Sequence, residues 1–207
     1  MNEFTLYRFR NDWIALGGNP DSGCVRHLYD ALETGYTEPW RRFHDRNHIL
    51  NLLAQLDDVA SHVGDLATVR MAVWFHDVVC VPGATGNEQA SADLWRRLAT
   101  DHLAPCAVDR VAELVLDTRH LVAPGSADGA VLADIDIAGL GADASVFDHQ
   151  SLQVSAEFPN ARQAECEAAQ KAFLAKLLER EWIYHTTYFR DACERGARAN
   201  LSRFLAA

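Results

Sequence analysis

The chain has 207 residues, 49% of them hydrophobic and 23% charged, a composition that fits a globular protein and excludes a disordered one. With 19 basic and 29 acidic residues its net charge is −10, which argues against a groove that binds the phosphates of a nucleic-acid polymer. The five cysteines are odd in number, widely spaced and without a CxxC pair, so they predict free thiols in a reducing compartment.

The N-terminal sequence, MNEFTLYRFRNDW, has no basic region followed by a long apolar run, and no segment reaches the length of a membrane span. We therefore expect a cytoplasmic protein without a membrane partner. A chain of this length requires no second domain, and none of its breaks resembles a domain linker. We predict one domain over residues 1–207, whose oligomeric state the sequence leaves open.

Helical periodicity dominates the chain. In HILNLLAQLDDVASHV, which begins at His48, apolar residues recur at the i, i+3, i+4, i+7 spacing of one helix face. The same spacing predicts helices over about residues 66–79, 88–103, 106–120, 161–180 and 187–204. Strand signals are nearly absent, and most of the breaks are typical of loops between helices. The sequence thus predicts an all-α fold, a bundle of roughly eight to ten helices.

Two histidines lie four residues apart in RRFHDRNHI. At that spacing His44 and His48 project from one face of a helix, so that two imidazoles can reach one ion or one ligand. An isolated HxxxH is short and unspecific, and histidines with ordinary hydrogen bonds are its commoner explanation.

A histidine and an aspartate stand side by side in WFHDVVC, inside an otherwise apolar run. The flanking residues predict a helix buried on most sides, where the Asp77 carboxylate needs a cation or hydrogen-bond donors. Beside it, His76 offers a nitrogen ligand that suits a divalent transition metal. On this segment alone a metal site competes evenly with a buried His-Asp hydrogen bond or an aspartate facing solvent at a helix end.

Further polar residues follow this pair. GNEQASADLW predicts a helix that opens at Asn87 and Glu88, close in the chain to Asp77. Glu88 could act as a general acid or base on a metal-bound water, or be an ordinary first-turn acid. His120, which closes the predicted helix at DTRH, could be a second base or an anion contact, or a partner of the helix dipole.

Asp134 and Asp136 lie in the short apolar segment VLADIDIAGLG, with no Lys or Arg nearby in sequence. On a helix the two side chains point about 200° apart, so one ion would be met by only one of them. The other could orient a histidine ligand, or both could lie at a helix N-terminus, where acids favour the dipole.

In order along the chain, His48, the His76-Asp77 pair and an aspartate at 134–136 resemble the H…HD…D signature of the HD-domain metal-dependent phosphohydrolase superfamily. More narrowly, the chain resembles a bacterial family of predicted HD phosphohydrolases of about this length. The segments that carry the resemblance run from about residue 36 to residue 201: TEPWRRFHDRNHI, AVWFHDVVC, GNEQASA, DTRH, LADIDIAGLG and IYHTTYFRDACERGARANL. HD alone is a weak motif, whereas these segments in order are a strong one.

The resemblance implies an all-α HD-type fold and a divalent ion held by two histidines and two aspartates. The implied ligands are His48, His76, Asp77 and Asp136, with Asp134 as the alternative to Asp136. The ion would be Mn, Fe, Co, Ni or Zn, and a second ion is an alternative. Such an ion activates a water that attacks phosphorus near neutral pH.

Roles around the ion follow from the same resemblance, with a small phosphorylated molecule as substrate. The predicted catalytic residues are Glu88, Asp77 and His120, and the predicted substrate contacts are His44, Arg41, Asn87 and His120. Four other residues are candidates for anion or structural contacts: Arg162, Arg180, Tyr184 and Arg198. The chain departs from the family at Trp40, where histidine is usual, at Phe43, where tyrosine is usual, and at Ser155, where arginine is expected. These departures bear on the substrate contacts and leave the ligand set unchanged.

The sequence therefore predicts an enzyme, a metal-dependent hydrolase of a phosphomonoester or phosphodiester, with a small nucleotide as one candidate substrate. One alternative is a di-iron oxygenase of the HD type, which needs further histidine ligands before the last aspartate, where only His102 and His120 lie. The other alternative is a non-catalytic module that binds a metal or a ligand.

Overall fold

The computed structural model describes residues 3–158 and 163–206. Within these ranges the protein contains ten α-helices, two short 3-10 helices and no strand. The α-helices are α1 (Leu6–Ala15), α2 (Cys24–Tyr36), α3 (Arg46–Asp58), α4 (Leu66–Phe75), α5 (Asn87–Ala99), α6 (Pro105–Asp117), α7 (Ala127–Asp136), α8 (Ala144–Ser155), α9 (Gln163–Leu178) and α10 (Thr187–Ala206). The 3-10 helices are Ala60–His62 and Ala138–Gly141. The prediction of an all-α bundle of eight to ten helices is confirmed, while the predicted helix start at residue 161 lies outside the described residues.

Helix α4 lies at the centre of the bundle. Its N-terminus is capped by Asp65, whose side chain accepts a 3.1 Å hydrogen bond from the Thr68 amide. Seven of its ten residues are buried, and it packs against α1, α3, α5, α6 and α7. A helix that is apolar on all sides must be enclosed by other helices. The apolar run before His76 therefore carries that residue into the interior of the protein.

Helix α4 ends four residues earlier than the sequence predicted, at Phe75 instead of residue 79. His76 is its C-cap, and the chain then turns through Asp77 and Val78. The turn is stable because the buried Arg41 guanidinium donates to the carbonyl oxygens of Asp77 and Val78, at 2.8 and 3.0 Å. Helix α6 likewise ends at Asp117, before the predicted end at residue 120.

A close approach of α2 also depends on this turn. A Cβ atom added at Gly35 would lie 2.5 Å from the Val78 carbonyl oxygen, so only glycine allows α2 to pack at this distance. The end of α4 is thus held from two sides, by the arginine and by α2.

The buried apolar side chains form one cluster that extends from Phe9 in α1 to Leu201 in α10. Aromatic rings fill its centre: the ring centroids of Phe9 and Trp74 are 5.5 Å apart, and those of Phe75 and Trp95 are 4.9 Å apart. A core packed in this way tolerates little displacement, so the ends of its helices are held in fixed positions.

Among the described residues, no helix combines the length and apolar character needed to cross a membrane. All five cysteines are free, as the sequence predicted.

Candidate metal centre

Four side chains from three helices meet in the interior. His48 lies in the first turn of α3, His76 and Asp77 lie at the end of α4, and Asp136 is the last residue of α7. One ligand atom from each lies within 4.8 Å of the others. These are the four residues that the sequence predicted as ligands.

The distances between their ligand atoms suit a single metal ion. His76 Nε2 lies 3.2 Å from His48 Nε2, 3.1 Å from Asp77 Oδ2 and 3.3 Å from Asp136 Oδ1. His48 Nε2 lies 3.7 Å from Asp77 Oδ2 and 3.4 Å from Asp136 Oδ1. Ligands at about 2.0–2.2 Å from an ion are about 2.8–3.6 Å apart in octahedral or tetrahedral geometry. This His/Asp cluster could therefore hold a metal ion.

The local backbone sets the tautomer of His76. Its Nδ1 lies 3.0 Å from the Val73 carbonyl oxygen, which can only accept a hydrogen bond, so the proton is on Nδ1. In the neutral imidazole the lone pair of Nε2 is then directed to the other three ligand atoms, which is the arrangement typical of a metal-binding histidine. Burial lowers the pKa of His76, but the charge of Asp77 and the hydrogen bonds to Asp136 and Asp77 outweigh it and raise the pKa well above its ordinary value, so without an ion Nε2 carries a proton that a metal would replace. The N-terminus of α3 is fixed by Asp45, whose side chain accepts from the amides of Asn47 and His48 at 2.7 and 3.2 Å.

Both carboxyl groups of the cluster are anions at neutral pH. Burial raises the pKa of Asp77, but the adjacent His76 and nearby His44 outweigh it and hold the pKa below its ordinary value. Burial also raises the pKa of Asp136, and hydrogen bonds from His120, His48 and His76 lower it well below the ordinary value. The carboxylate form is the one that binds a metal.

His120 contacts the cluster through Asp136. Its Nε2 lies 2.8 Å from Asp136 Oδ2, while Oδ1 of the same carboxylate faces the two ligand histidines. His120 follows α6 with a positive φ of 55°, and its carbonyl oxygen accepts a hydrogen bond from Arg180. Its Nδ1 is buried and has no hydrogen-bond partner among the described residues. The residue also lines a cavity that opens beside the cluster. A strained, buried histidine with a free ring nitrogen is typical of a site that contacts a ligand.

Asp134, the alternative ligand, does not belong to the cluster. It is fully buried, and its carboxylate accepts 2.7 Å hydrogen bonds from the His185 amide, the Thr186 amide and the Thr186 hydroxyl. The two aspartates point to different sides of α7, as the spacing required. They lie at the C-terminal end of α7, so the alternative in which both cap a helix N-terminus is wrong.

His44 lies in the loop before α3, so the prediction that it shares a helical face with His48 is wrong. Its Nε2 is 4.0 Å from Asp77 Oδ2, and its Nδ1 is 2.6 Å from Oε2 of Glu157. The other oxygen of Glu157 accepts from the amides of residues 42, 43 and 44 at 2.8, 2.8 and 2.9 Å. Glu157 therefore holds the loop that carries His44, a role that no local pattern in the sequence indicates.

The Glu157 contact also sets the charge of His44. Burial lowers the pKa of His44, but the hydrogen bond to Glu157 and the charge of Asp77 outweigh it and raise the pKa above its ordinary value. Burial raises the pKa of Glu157, and the hydrogen bonds from His44 and the loop amides lower it below its ordinary value. These shifts favour an ion pair next to the cluster, in which Glu157 is buried and His44 is partly exposed.

Arg41 was predicted to contact substrate, and its position does not support this. Its side chain is 1% exposed, and it donates to the carbonyl oxygens of His44, Asp77 and Val78 and to Glu38. With these donors engaged, the guanidinium fixes the loop and the turn that carry site residues and is not free to contact a substrate.

Asn87 and Glu88, at the start of α5, have separate roles. The Asn87 side chain bonds the amide and carbonyl of Val81, at 3.0 and 3.2 Å, and so closes the loop before α5. Asn87 is not among the residues that line the cavity, which corrects its prediction as a substrate contact. Glu88 lines the cavity together with Asp77, and its predicted role as a general acid or base stays a prediction.

The other predicted anion contacts are structural where the structure describes them. Tyr184 donates to the Ile137 carbonyl at 3.1 Å, and Arg198 donates to three carbonyl oxygens and to Glu194. Arg180 bonds the His120 carbonyl, and Arg162 lies outside the described residues.

No family model, curated protein or solved structure matches the chain. What the protein does must therefore be inferred from the chemistry of its own site.

A cavity of about 440 Å³ opens beside the cluster. Among the residues that line it are Asp77 and Asp136 of the cluster, with His44, Glu88 and His120. Its size falls in the range of about 300–1,000 Å³ that is usual for small-molecule sites. The four-ligand cluster thus borders a space that a small substrate can enter.

Proposed function

We propose that the protein is a metal-dependent phosphohydrolase of the HD type that hydrolyses a small phosphorylated molecule. The observation that carries the proposal is the convergence of two imidazole nitrogens and two carboxylate oxygens, all within 4.8 Å of one another, beside a cavity. The H…HD…D order of these residues supports it.

The ligand set suits Mn, Fe, Co, Ni or Zn, since all of them accept imidazole and carboxylate ligands. Bound by His48, His76, Asp77 and Asp136, one such ion would supply acidified water and an electrophile for a phosphoryl oxygen. The two carboxylates balance the charge of the divalent ion, so the ion and its ligands together carry no net negative charge that would repel an anionic substrate.

The residues around the cluster can bind the phosphate and move protons. His44 lines the cavity, and its contact with Glu157 raises its pKa and so favours the cationic form, which can donate to a phosphoryl oxygen. His120 donates its Nε2–H to Asp136, so in the neutral ring its Nδ1, which has no partner among the described residues, carries a lone pair that can accept a hydrogen bond. Glu88 lines the same cavity and can take a proton from the attacking water and return one to the leaving alcohol when the P–O bond breaks.

The test is a screen of phosphorylated metabolites against protein reconstituted with each of the five metals, with phosphate release and metal content both measured. We expect one ion per chain and turnover that is lost in His76→Ala and in Asp77→Ala. His102→Ala is the matched control, because His102 is exposed and lies outside the cluster.

Two results would replace the proposal. Two irons per chain with an oxygen-dependent product would indicate the oxygenase. Folded protein that stays metal-free and turns over none of the esters would indicate the non-catalytic binding module.

A further inference from the structure

The cavity beside the cluster has two chemically different walls. One wall comes from residues 43–140 and carries all the charged and imidazole side chains that line the described cavity: His44, Asp77, Glu88, Arg119, His120 and Asp136. The other wall comes from α8, the residues just after it and α9. The walls meet where the ring centroids of His120 and Phe173 are 6.2 Å apart.

In the part of the chain that the structure describes, the second wall carries no charged side chain. Its apolar members include Phe147, Val154, Phe158, Phe173 and Leu174. Helices α8 and α9 do carry charged residues, but none of these lines the cavity. This division matters because a charged group placed against an apolar wall loses its hydration and gains no partner.

Three neutral polar side chains interrupt the apolar wall, namely Gln150, Ser151 and Gln170. They can form hydrogen bonds with one or two polar atoms of a ligand, but they cannot neutralise a charge. Aromatic side chains in the same wall favour a flat ring, which they can contact by stacking or edge to face.

We infer that the substrate is a phosphate ester with a single phosphate group and an uncharged, largely apolar leaving group that contains a ring. This inference rests on the proposed function and specifies its substrate class. The phosphate lies against the wall that carries the cluster, and the ring lies against α8 and α9.

The test compares three phosphate esters with the same type of scissile bond, so that the leaving oxygen is equally reactive in each. They are ethyl phosphate, 2-phenylethyl phosphate, and 2-(4-carboxyphenyl)ethyl phosphate, which adds one negative charge at the far end of the ring. We expect kcat/KM to be about 10- to 100-fold higher for 2-phenylethyl phosphate than for ethyl phosphate, because the ring is transferred to an apolar wall. The added carboxylate should remove tenfold or more of this gain.

Two variants localise the effect. Phe173→Ala should bring the ratio of kcat/KM for 2-phenylethyl phosphate to kcat/KM for ethyl phosphate towards one. Phe4→Ala is the control and should leave this ratio unchanged. Phe4 is half-buried like Phe173, but it packs against Tyr29 and Trp74, away from the cavity. Val154→Lys places a cation in the apolar wall and should restore turnover of the carboxylate-bearing ester.

Binding of phosphonates, which cannot be hydrolysed, separates this inference from the proposed function. Calorimetry would compare 2-phenylethylphosphonate with ethylphosphonate on protein loaded with the ion that gives most turnover, or with Mn²⁺ if none does. If no ester is hydrolysed but the ring-bearing phosphonate binds more tightly, the proposed function fails and the assignment of the ring to this wall stands.

Other outcomes overturn the inference itself. Equal turnover of ethyl and 2-phenylethyl phosphate would overturn the inference about the leaving group, while the proposed phosphohydrolase function would stand. A preference for the carboxylate-bearing ester that disappears in Arg162→Ala would also do so, since a cation from outside the described residues would then serve the second wall. No turnover together with equal phosphonate affinities would overturn both proposals.

Discussion

Two aspartates near the end of α7, two residues apart, have different partners. Asp134 faces the start of α10 and accepts hydrogen bonds from two amides and a hydroxyl, whereas Asp136 faces α3 and α4 and contacts three histidine rings. Both are largely or fully buried, so burial alone does not distinguish a structural carboxylate from one that can bind a metal. The partners do, because amides and hydroxyls fix a backbone segment, whereas imidazole nitrogens can share a metal ion with the carboxylate.

The largest effect is expected at the structural member of this pair. Asp134→Ala leaves two partly buried amides and a hydroxyl without their acceptor and should lower the free energy of unfolding by about 3 kcal/mol. Chemical denaturation of the metal-free protein would measure it. Asp136→Ala, as the matched change, should cost clearly less in the metal-free protein, and an equal loss would contradict the division of roles.

The functional member is tested by metal binding. Asp136→Ala removes one of the four proposed ligands and should weaken metal affinity at least about 100-fold, which corresponds to about 2.7 kcal/mol. Calorimetric titration would measure this, and the shift in melting temperature on adding metal should shrink accordingly. A variant with unchanged affinity would remove Asp136 from the ligand set.

A substitution of His120 should weaken metal affinity less than one of Asp136, because His120 contacts the cluster only through Asp136. His120→Ala should weaken metal affinity by about 10- to 100-fold. His149→Ala serves as the control, since His149 is exposed on α8 and lies outside the cluster. If His120→Ala binds metal like the unaltered protein, the 2.8 Å contact with Asp136 does not orient the ligand.

The smallest change, in the free energy of unfolding, is expected from a substitution at Glu157. Like Asp134 it holds a loop through backbone amides, and like Asp136 it contacts a histidine. Glu157→Gln keeps the shape but loses the charge, and should lower the free energy of unfolding by about 1–2 kcal/mol at pH 6. Denaturation at several pH values would measure this, with the exposed Glu179→Gln as control.

The pH dependence of the Glu157→Gln effect follows from two pKa shifts. The pKa of Glu157 is lowered, so its contribution is present above its unfolded value of 4.5 and is lost as the pH falls through the lower folded value. The pKa of His44 is raised, so its contribution is complete below its unfolded value of 6.5 and is lost as the pH rises through the higher folded value. The difference from the unaltered protein should therefore be greatest between about pH 4.5 and 6.5, and a difference independent of pH would exclude the ion pair.

The sequence alone determined the helical class, because apolar spacing along a helix is a local property. It also determined that the Asp77 carboxylate would need a partner, because apolar residues on both sides of WFHDVVC place it away from water. The resemblance supplied the candidate ligands, and the structure brings the four of them together.

Tertiary structure decided what local spacing could not. The choice between Asp134 and Asp136 depended on which neighbouring helix each side of α7 faces. The early end of α4 depended on Arg41, and the position of His44 depended on Glu157, 113 residues further along the chain. Contacts at such separations leave no periodic signal in the sequence, since a side chain finds its partner only after the whole core has packed.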